Sequence, residues 1–145
     1  MEIHLEFAFE ANVSVSETIF IGDTPVGKQF MIPITGGTFE GPELNAKVLP
    51  VGADFLLERK DGVAEVKATY SIETDDDQKI YIDNWGYFSP PKEGRETDEA
   101  EYFRTVPTFR APEGKYSWLN HTIMVCSGEK GQSPSTIRLK FYKVK

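Results

Sequence analysis

Ala64-Glu65-Val66-Lys67-Ala68-Thr69-Tyr70-Ser71-Ile72-Glu73 decides the fold class. Ala64, Val66, Ala68, Tyr70 and Ile72 alternate with charged or hydroxylated residues, a period of two that gives a strand one dry and one wet face. Toward the C-terminus, Ile137, Leu139 and Phe141 alternate with Arg138, Lys140 and Tyr142. Toward the N-terminus, Ile3, Leu5, Phe7 and Phe9 alternate with His4, Glu6, Ala8 and Glu10. Three separated segments therefore repeat one pattern.

Further strands are expected at Lys28 to Pro33, Leu44 to Leu49, Asp54 to Arg59, Gln78 to Phe88, Glu101 to Phe109 and Trp118 to Ser127. Gly22-Asp23-Thr24-Pro25, Lys60-Asp61-Gly62 and Asp75-Asp76-Asp77 supply turn chemistry between them. No window carries a convincing helical stripe. Two longer breaks remain: Asn12 to Gly27, whose Ile19-Phe20-Ile21 reads as a further strand, and the polar, proline-led Ser89 to Ala100. Within the second, Ser89 to Glu96 is a candidate lid at one rim. The reading is all-β: a single antiparallel β-barrel of roughly eight to ten strands, mostly up-and-down, over residues 1–145. A Greek-key sandwich, which needs a long crossover, is the alternative.

With 145 residues, 39% of them hydrophobic, one domain with a core of its own is expected. The net charge of −7 argues against a nucleic-acid partner, which needs a basic stripe. Arg138, Lys140, Lys143 and Lys145 cluster at the end, where cations guard a solvated edge. The alternating N-terminus is unlike a signal peptide, and no apolar run approaches membrane length. Glu65, Lys67 and Glu73 on one strand face argue against a lipid-facing barrel. Cys126 stands alone, which fits a reducing compartment and a cytoplasmic location.

Pro33-Ile34-Thr35-Gly36-Gly37-Thr38-Phe39-Glu40-Gly41-Pro42 is followed by Val48-Leu49-Pro50-Val51-Gly52-Ala53-Asp54-Phe55. With Arg59-Lys60-Asp61-Gly62, Tyr102-Phe103-Arg104-Thr105-Val106-Pro107 and Tyr116-Ser117-Trp118-Leu119-Asn120, these blocks resemble uncharacterised protein family 0311, or domain of unknown function 3237, of bacteria and fungi. The likeness runs from Leu5 to the last strand. It implies a small antiparallel β-barrel and brings no activity, cofactor or catalytic residue. Phe55 departs from the tryptophan usual in that block, and Val51 stands where glycine is common.

Familiar chemical signatures are weak. The glycine-rich Thr35 to Pro42 leads into a strand rather than the helix a phosphate loop requires, so it reads as a bend or bulge. Asp75-Asp76-Asp77 lacks the spaced ligands and distal Glu of a calcium loop. His4 and His121 have no ligand spacing around them, and no metal site is expected. Cys126, on an apolar strand without a neighbouring base, reads as a buried, inert thiol.

Polar residues within apolar strands are more informative: Asp54, Asn84, Arg104 and Asn120. Buried, such groups must pair, reach a rim or serve a ligand. One reading makes them structural ties between strands. The other gathers a pocket at one barrel mouth, with Phe39, Tyr70, Trp85 and Trp118 as its wall, Tyr102 beside them, and Arg104 orienting an anionic or carbonyl group. Asn120 and Tyr70 would then donate hydrogen bonds, and Asp54 or Glu40 would be the candidate base. The leading expectation is a small-molecule-binding barrel with no cofactor, homo-oligomer formation left open. A cofactor-free isomerase, cyclase or lyase for a small carbonyl compound, and a structural or interaction barrel, are the alternatives.

Overall fold

A computed structural model of the chain describes residues 1–90 and 101–145. Its strands are β1 (Leu5–Val15), β2 (Ile19–Thr24), β3 (Gly27–Glu40), β4 (Asn45–Asp54), β5 (Leu57–Arg59), β6 (Ala64–Thr74), β7 (Lys79–Ser89), β8 (Tyr102–Arg110), β9 (Met124–Lys130) and β10 (Thr136–Val144). Eight of them, in the order β1-β10-β9-β8-β7-β6-β4-β3, close into an antiparallel barrel when β3 pairs back onto β1. Apart from the short β2 and β5, each stave lies beside its neighbour in sequence, so the connectivity is mostly up-and-down. β1 and β2 lie end to end along one side of β3, and β4 and β5 along the other. Among the described residues, no helix is long and apolar enough to cross a membrane.

Alternation in β6 sets the inside of the wall. Val66, Tyr70 and Ile72 are buried within, while Lys67 is exposed outside. Outward Glu73 accepts from Lys47 at 3.2 Å and Lys79 at 3.1 Å on the flanking strands. β7 continues this register without interruption from Ala64 opposite Phe88 to Glu73 opposite Lys79. That makes Ile80, Ile82 and Asn84 the inward set.

One end of the interior is filled. Phe9, Phe39, Phe109 and Phe141 come from β1, β3, β8 and β10, and their rings pack at centroid distances from 4.9 Å (Phe9 to Phe141) to 6.1 Å (Phe109 to Phe141). Beneath them the β8–β9 connection folds across as a 3-10 turn, Ser117–His121, burying Tyr116 and Leu119. The Tyr116 hydroxyl donates to Asp76 at 2.7 Å, and Thr74 donates to the same oxygen at 2.6 Å. The aspartate-rich β6–β7 turn thus ties down the plug. Trp118 lies under the Lys143 ammonium, 4.2 Å from the ring centroid, and Lys143 pairs with Glu43.

Three local expectations need correction. The segment beginning at Trp118 is not strand; the 3-10 turn occupies it and β9 starts at Met124. Leu5 and Phe7 are exposed, because the β1–β10 register slips between Phe7 and Phe9 and reverses which residues face inward. β3 runs on through the glycines to Glu40, with a register irregularity between Pro33 and Thr38, where a break after Pro33 was expected. Of the candidate lid, residues 91–96 lie outside the described residues.

Candidate functional site

Among the described residues, the other end of the barrel is open. β4 stops at Asp54, the chain bends through Phe55 and Leu56 into β5, and the wall flares around a cavity of about 650 Å³. Its lining is largely apolar: Ile32, Leu56, Val66, Phe88, Phe103 and Ile137. Glu101, Glu129 and Lys130 stand among the lining residues contributed by strand ends. Asp54, Val66, Phe103 and Ile137 also line a narrower space of about 30 Å³, bordered further by Tyr70, Asn84 and Thr105.

The two sides of this interior differ. Asp54 on β4, Tyr70 on β6, Asn84 on β7, Thr105 on β8 and Cys126 on β9 are buried on five successive staves. Opposite them stand Ile137 and Leu139 of β10, Val13 and Val15 of β1, and Ile34 of β3. One wall is therefore a polar belt and the other is hydrocarbon.

The belt is incompletely satisfied. Among the described residues, Tyr70 Oη, Asn84 Oδ1 and Thr105 Oγ1 are buried without a hydrogen-bond partner. Each such group costs about 1–3 kcal/mol when left unpaired, and several together in one native interior call for a reason. Burial also raises the Tyr70 phenol well above its ordinary range, so the ring stays neutral and its hydroxyl can donate. Cys126 is likewise pushed up to about 11 by burial, despite the nearby Thr105 and Asn84 side chains, and remains a thiol at neutral pH.

Asp54 is only 8% exposed, and burial lifts its carboxyl from 3.8 to about 6. The Lys67 backbone N–H, donating to Oδ1 at 3.1 Å, opposes that rise without cancelling it. Local geometry explains the contact. Phe55 N–H donates to the Lys67 carbonyl, and where β4 ends the Asp54 side chain takes the amide that a longer strand would have paired. Among the described residues, that amide is the only hydrogen-bond donor to the Asp54 carboxylate, which borders both parts of the cavity.

Of the side chains expected to form a mouth pocket, the structure brings together Asp54 and Tyr70. Asn84, noted as a polar residue on an apolar strand, joins them, and Thr105 is an addition. The remaining expectations are corrected by position. Trp85 has the opposite parity to Ile82 and Asn84 and is 48% exposed on the outer wall. Tyr102 and Arg104 share a face, the outer one, where the guanidinium lies 5.6 Å from the Tyr102 ring and donates to the Phe103 carbonyl at 2.8 Å. Glu40 is exposed at the plugged end, opposite Glu10 and Asn45. Trp118 and Asn120 belong to the plug, and Asn120 brackets Ala111 by accepting from its N–H at 2.7 Å and donating to its carbonyl at 3.0 Å. Phe39 packs in the aromatic cluster, 6.4 Å from the Tyr70 ring.

Thr105 did leave a sequence signal. It shares parity with Phe103, Pro107 and Phe109, the dry side of β8, just as Asn84 shares parity with Ile80 and Ile82.

Comparison with known proteins agrees with this architecture. Residues 3–144 match the model of a family described as protein of unknown function, DUF3237. A UPF0311 protein of Clostridium acetobutylicum is 40% identical over 152 aligned positions, covering 99% of this chain and 95% of the relative. A solved structure of a protein with unknown function from Clostridium acetobutylicum superposes with a TM-score of 0.88 at 38% identity, covering 99% of this chain and 100% of the other. A protein of Acinetobacter baumannii described as β-barrel-like gives a TM-score of 0.91 at 32% identity, covering 100% and 98%.

Proposed function

The chain belongs to the DUF3237 family, whose description names no activity, and we propose from its own geometry that it is a small-molecule-binding β-barrel. One observation carries the reading. Three buried polar atoms without partners among the described residues, on Tyr70, Asn84 and Thr105, belong to residues bordering a narrow space that shares Asp54, Val66, Phe103 and Ile137 with the apolar cavity at the barrel mouth. Pockets for small ligands combine an apolar lining with a few convergent polar groups in this way.

The lining defines the ligand class. An apolar body fits between Val66, Phe88, Phe103 and Ile137, and a polar edge meets the belt. The Tyr70 and Thr105 hydroxyls can donate to an acceptor on that edge, and Asn84 Oδ1 can accept from a donor. Arg104 does not face the cavity, and among the described residues Asp54, Glu101 and Glu129 line it with Lys130 as the one cation. A neutral ligand is favoured over an anionic one. A cytoplasmic location is part of the same reading, because the one cysteine is a buried free thiol; fractionation placing the chain elsewhere would overturn that part.

Titration with 6-propionyl-2-(dimethylamino)naphthalene, a neutral aromatic ketone whose emission reports polarity, tests the proposal. Saturable 1:1 binding with a blue-shifted emission is expected. Val66→Trp, which fills the mouth, is expected to weaken it by about tenfold or more, the equivalent of about 1.4 kcal/mol. Absence of saturable binding, or unchanged binding in Val66→Trp, contradicts the reading.

A further inference from the structure

We propose that this mouth is an enolisation site, in which the Asp54 carboxylate removes a proton from the carbon beside the carbonyl of a neutral, amphipathic ketone while the Tyr70 and Thr105 hydroxyls hydrogen-bond the carbonyl oxygen. The inference rests on the binding reading above and adds to it a substrate class and a reaction.

Among the described residues, Asp54 is the buried carboxylate of this cavity, and it lines both the wide mouth and the narrow space beneath. The Lys67 amide anchors one oxygen, which sets the orientation of the side chain and leaves the other oxygen for chemistry. An ionisation near 6 makes it a competent base at neutral pH, where it is mostly charged yet binds a proton more readily than an ordinary carboxylate. Among the described residues, the other titratable groups lining the same space are Tyr70 on β6, Glu101 beside β8, and Glu129 and Lys130 at the end of β9.

The polar belt answers the second requirement, stabilisation of the charge that develops. Preorganised donors aimed at a forming oxyanion are worth about 10²–10³-fold each, and a positioned general base about 10²–10⁴-fold. Among the described residues, the buried Tyr70 hydroxyl has no internal acceptor and Thr105 has only the weakly accepting Cys126 sulfur beside it, so engaging the substrate oxygen displaces no strong protein hydrogen bond.

The step balances without a co-reactant. The C–H bond breaks and its proton passes to Asp54. Its electron pair becomes the carbon–carbon double bond of the enolate, and the carbonyl π pair moves onto oxygen. Return of the proton from Asp54 to the same carbon regenerates the ketone. Return to a conjugated carbon gives an isomer.

The test uses 2-tetralone, a planar ketone with one polar edge, incubated in deuterium oxide with the full chain. Displacement of the fluorescent ketone measures its binding, and NMR follows deuterium entry beside its carbonyl. Exchange is expected to exceed the buffer rate by about 100-fold or more, rising with pH through about 6 and levelling above it. Asp54→Asn is expected to bring exchange close to the buffer rate with affinity changed by less than about threefold. Tyr70→Phe is expected to slow exchange by about tenfold or more.

Bound 2-tetralone that exchanges no faster than in buffer overturns the inference and leaves the binding reading standing. So does full activity in Asp54→Asn. If 2-tetralone fails to displace a fluorescent ketone that itself binds, the proposed substrate class is wrong. If the fluorescent ketone does not bind either, the binding reading falls and takes this inference with it.

Discussion

Asp54 carries a charge that the barrel makes costly. Its carboxyl binds a proton more tightly in the folded chain than in the unfolded one, moving from 3.8 to about 6. The folded state therefore holds the extra proton between these values, and stability falls as pH rises through about 4 to 6 before levelling. Moving the ionisation that far corresponds to about 3 kcal/mol. Asp54→Asn keeps an acceptor for the Lys67 amide and removes the charge. Urea denaturation should find the variant more stable than the parent at pH 8 by about 2–3 kcal/mol, with the difference fading below pH 4. Equal stability at both pH values would show that Asp54 is not desolvated. At the same scale, Arg104→Ala should leave binding of the fluorescent ketone unchanged, since its guanidinium lies outside on Tyr102. A large loss of affinity would place Arg104 inside after all.

At the scale of the element, β4 brings Asp54 into phase. Between Val48 and Gly52 the strand advances four residues while β6 advances two, from Ile72 to Tyr70. Two extra residues preserve parity, so Asp54 still faces inward as Ala46 and Val48 do. Gly52 makes this possible. Its φ is +116°, and a Cβ there would overlap the Thr69 carbonyl oxygen and come within 2.9 Å of Tyr70 Cβ. Gly52→Ala should cost about 2 kcal/mol or more in urea denaturation and weaken ketone binding, because Tyr70 and Asp54 would both shift. An unchanged midpoint contradicts this role for the glycine.

This element also shows what a sequence can reveal. Alternation in Ala64 to Ile72 and Ile137 to Phe141 identified the inner face correctly, because the extra residues lie on the partner strands β4 and β1, while β6 keeps an unbroken register with β7 and β10 with β9. The slip after Phe7 and the added residues before Gly52 leave no mark in hydropathy, since both depend on the partner strand. Parity alone would have set Arg104 and Trp85 outside, opposite to Phe103 and Ile82. They entered the expected site on chemical character, which weighed less than the pleat. Trp118 and Asn120 could not be located by parity, because their segment is a 3-10 turn that plugs the barrel.

For the molecule as a whole, the proposed binding role follows from a barrel that, among the described residues, is plugged at one end only. The wall shuts where β1 meets β3, with Val13 opposite Gly37. A Cβ at Gly37, where φ is +133°, would overlap the Asn12 carbonyl oxygen, whereas the neighbouring Gly36 looks onto open space. Gly37→Ala should therefore destabilise the barrel by about 2 kcal/mol or more, beyond any effect of Gly36→Ala. It should also speed amide exchange along β1 and β3. Equal effects of the two substitutions would mean that the seam is looser than described. With the seam shut, the aromatic cluster and the 3-10 plug fill one half of the interior and, among the described residues, leave the other half open, its polar belt facing a hydrocarbon wall.

Soaking crystals with 2-tetralone tests that picture most directly. The ring is expected between Val66, Phe103 and Ile137, with its oxygen within hydrogen-bond distance of Tyr70 or Thr105. A molecule seated only on the outer wall, with the mouth empty at saturating concentration, would contradict it.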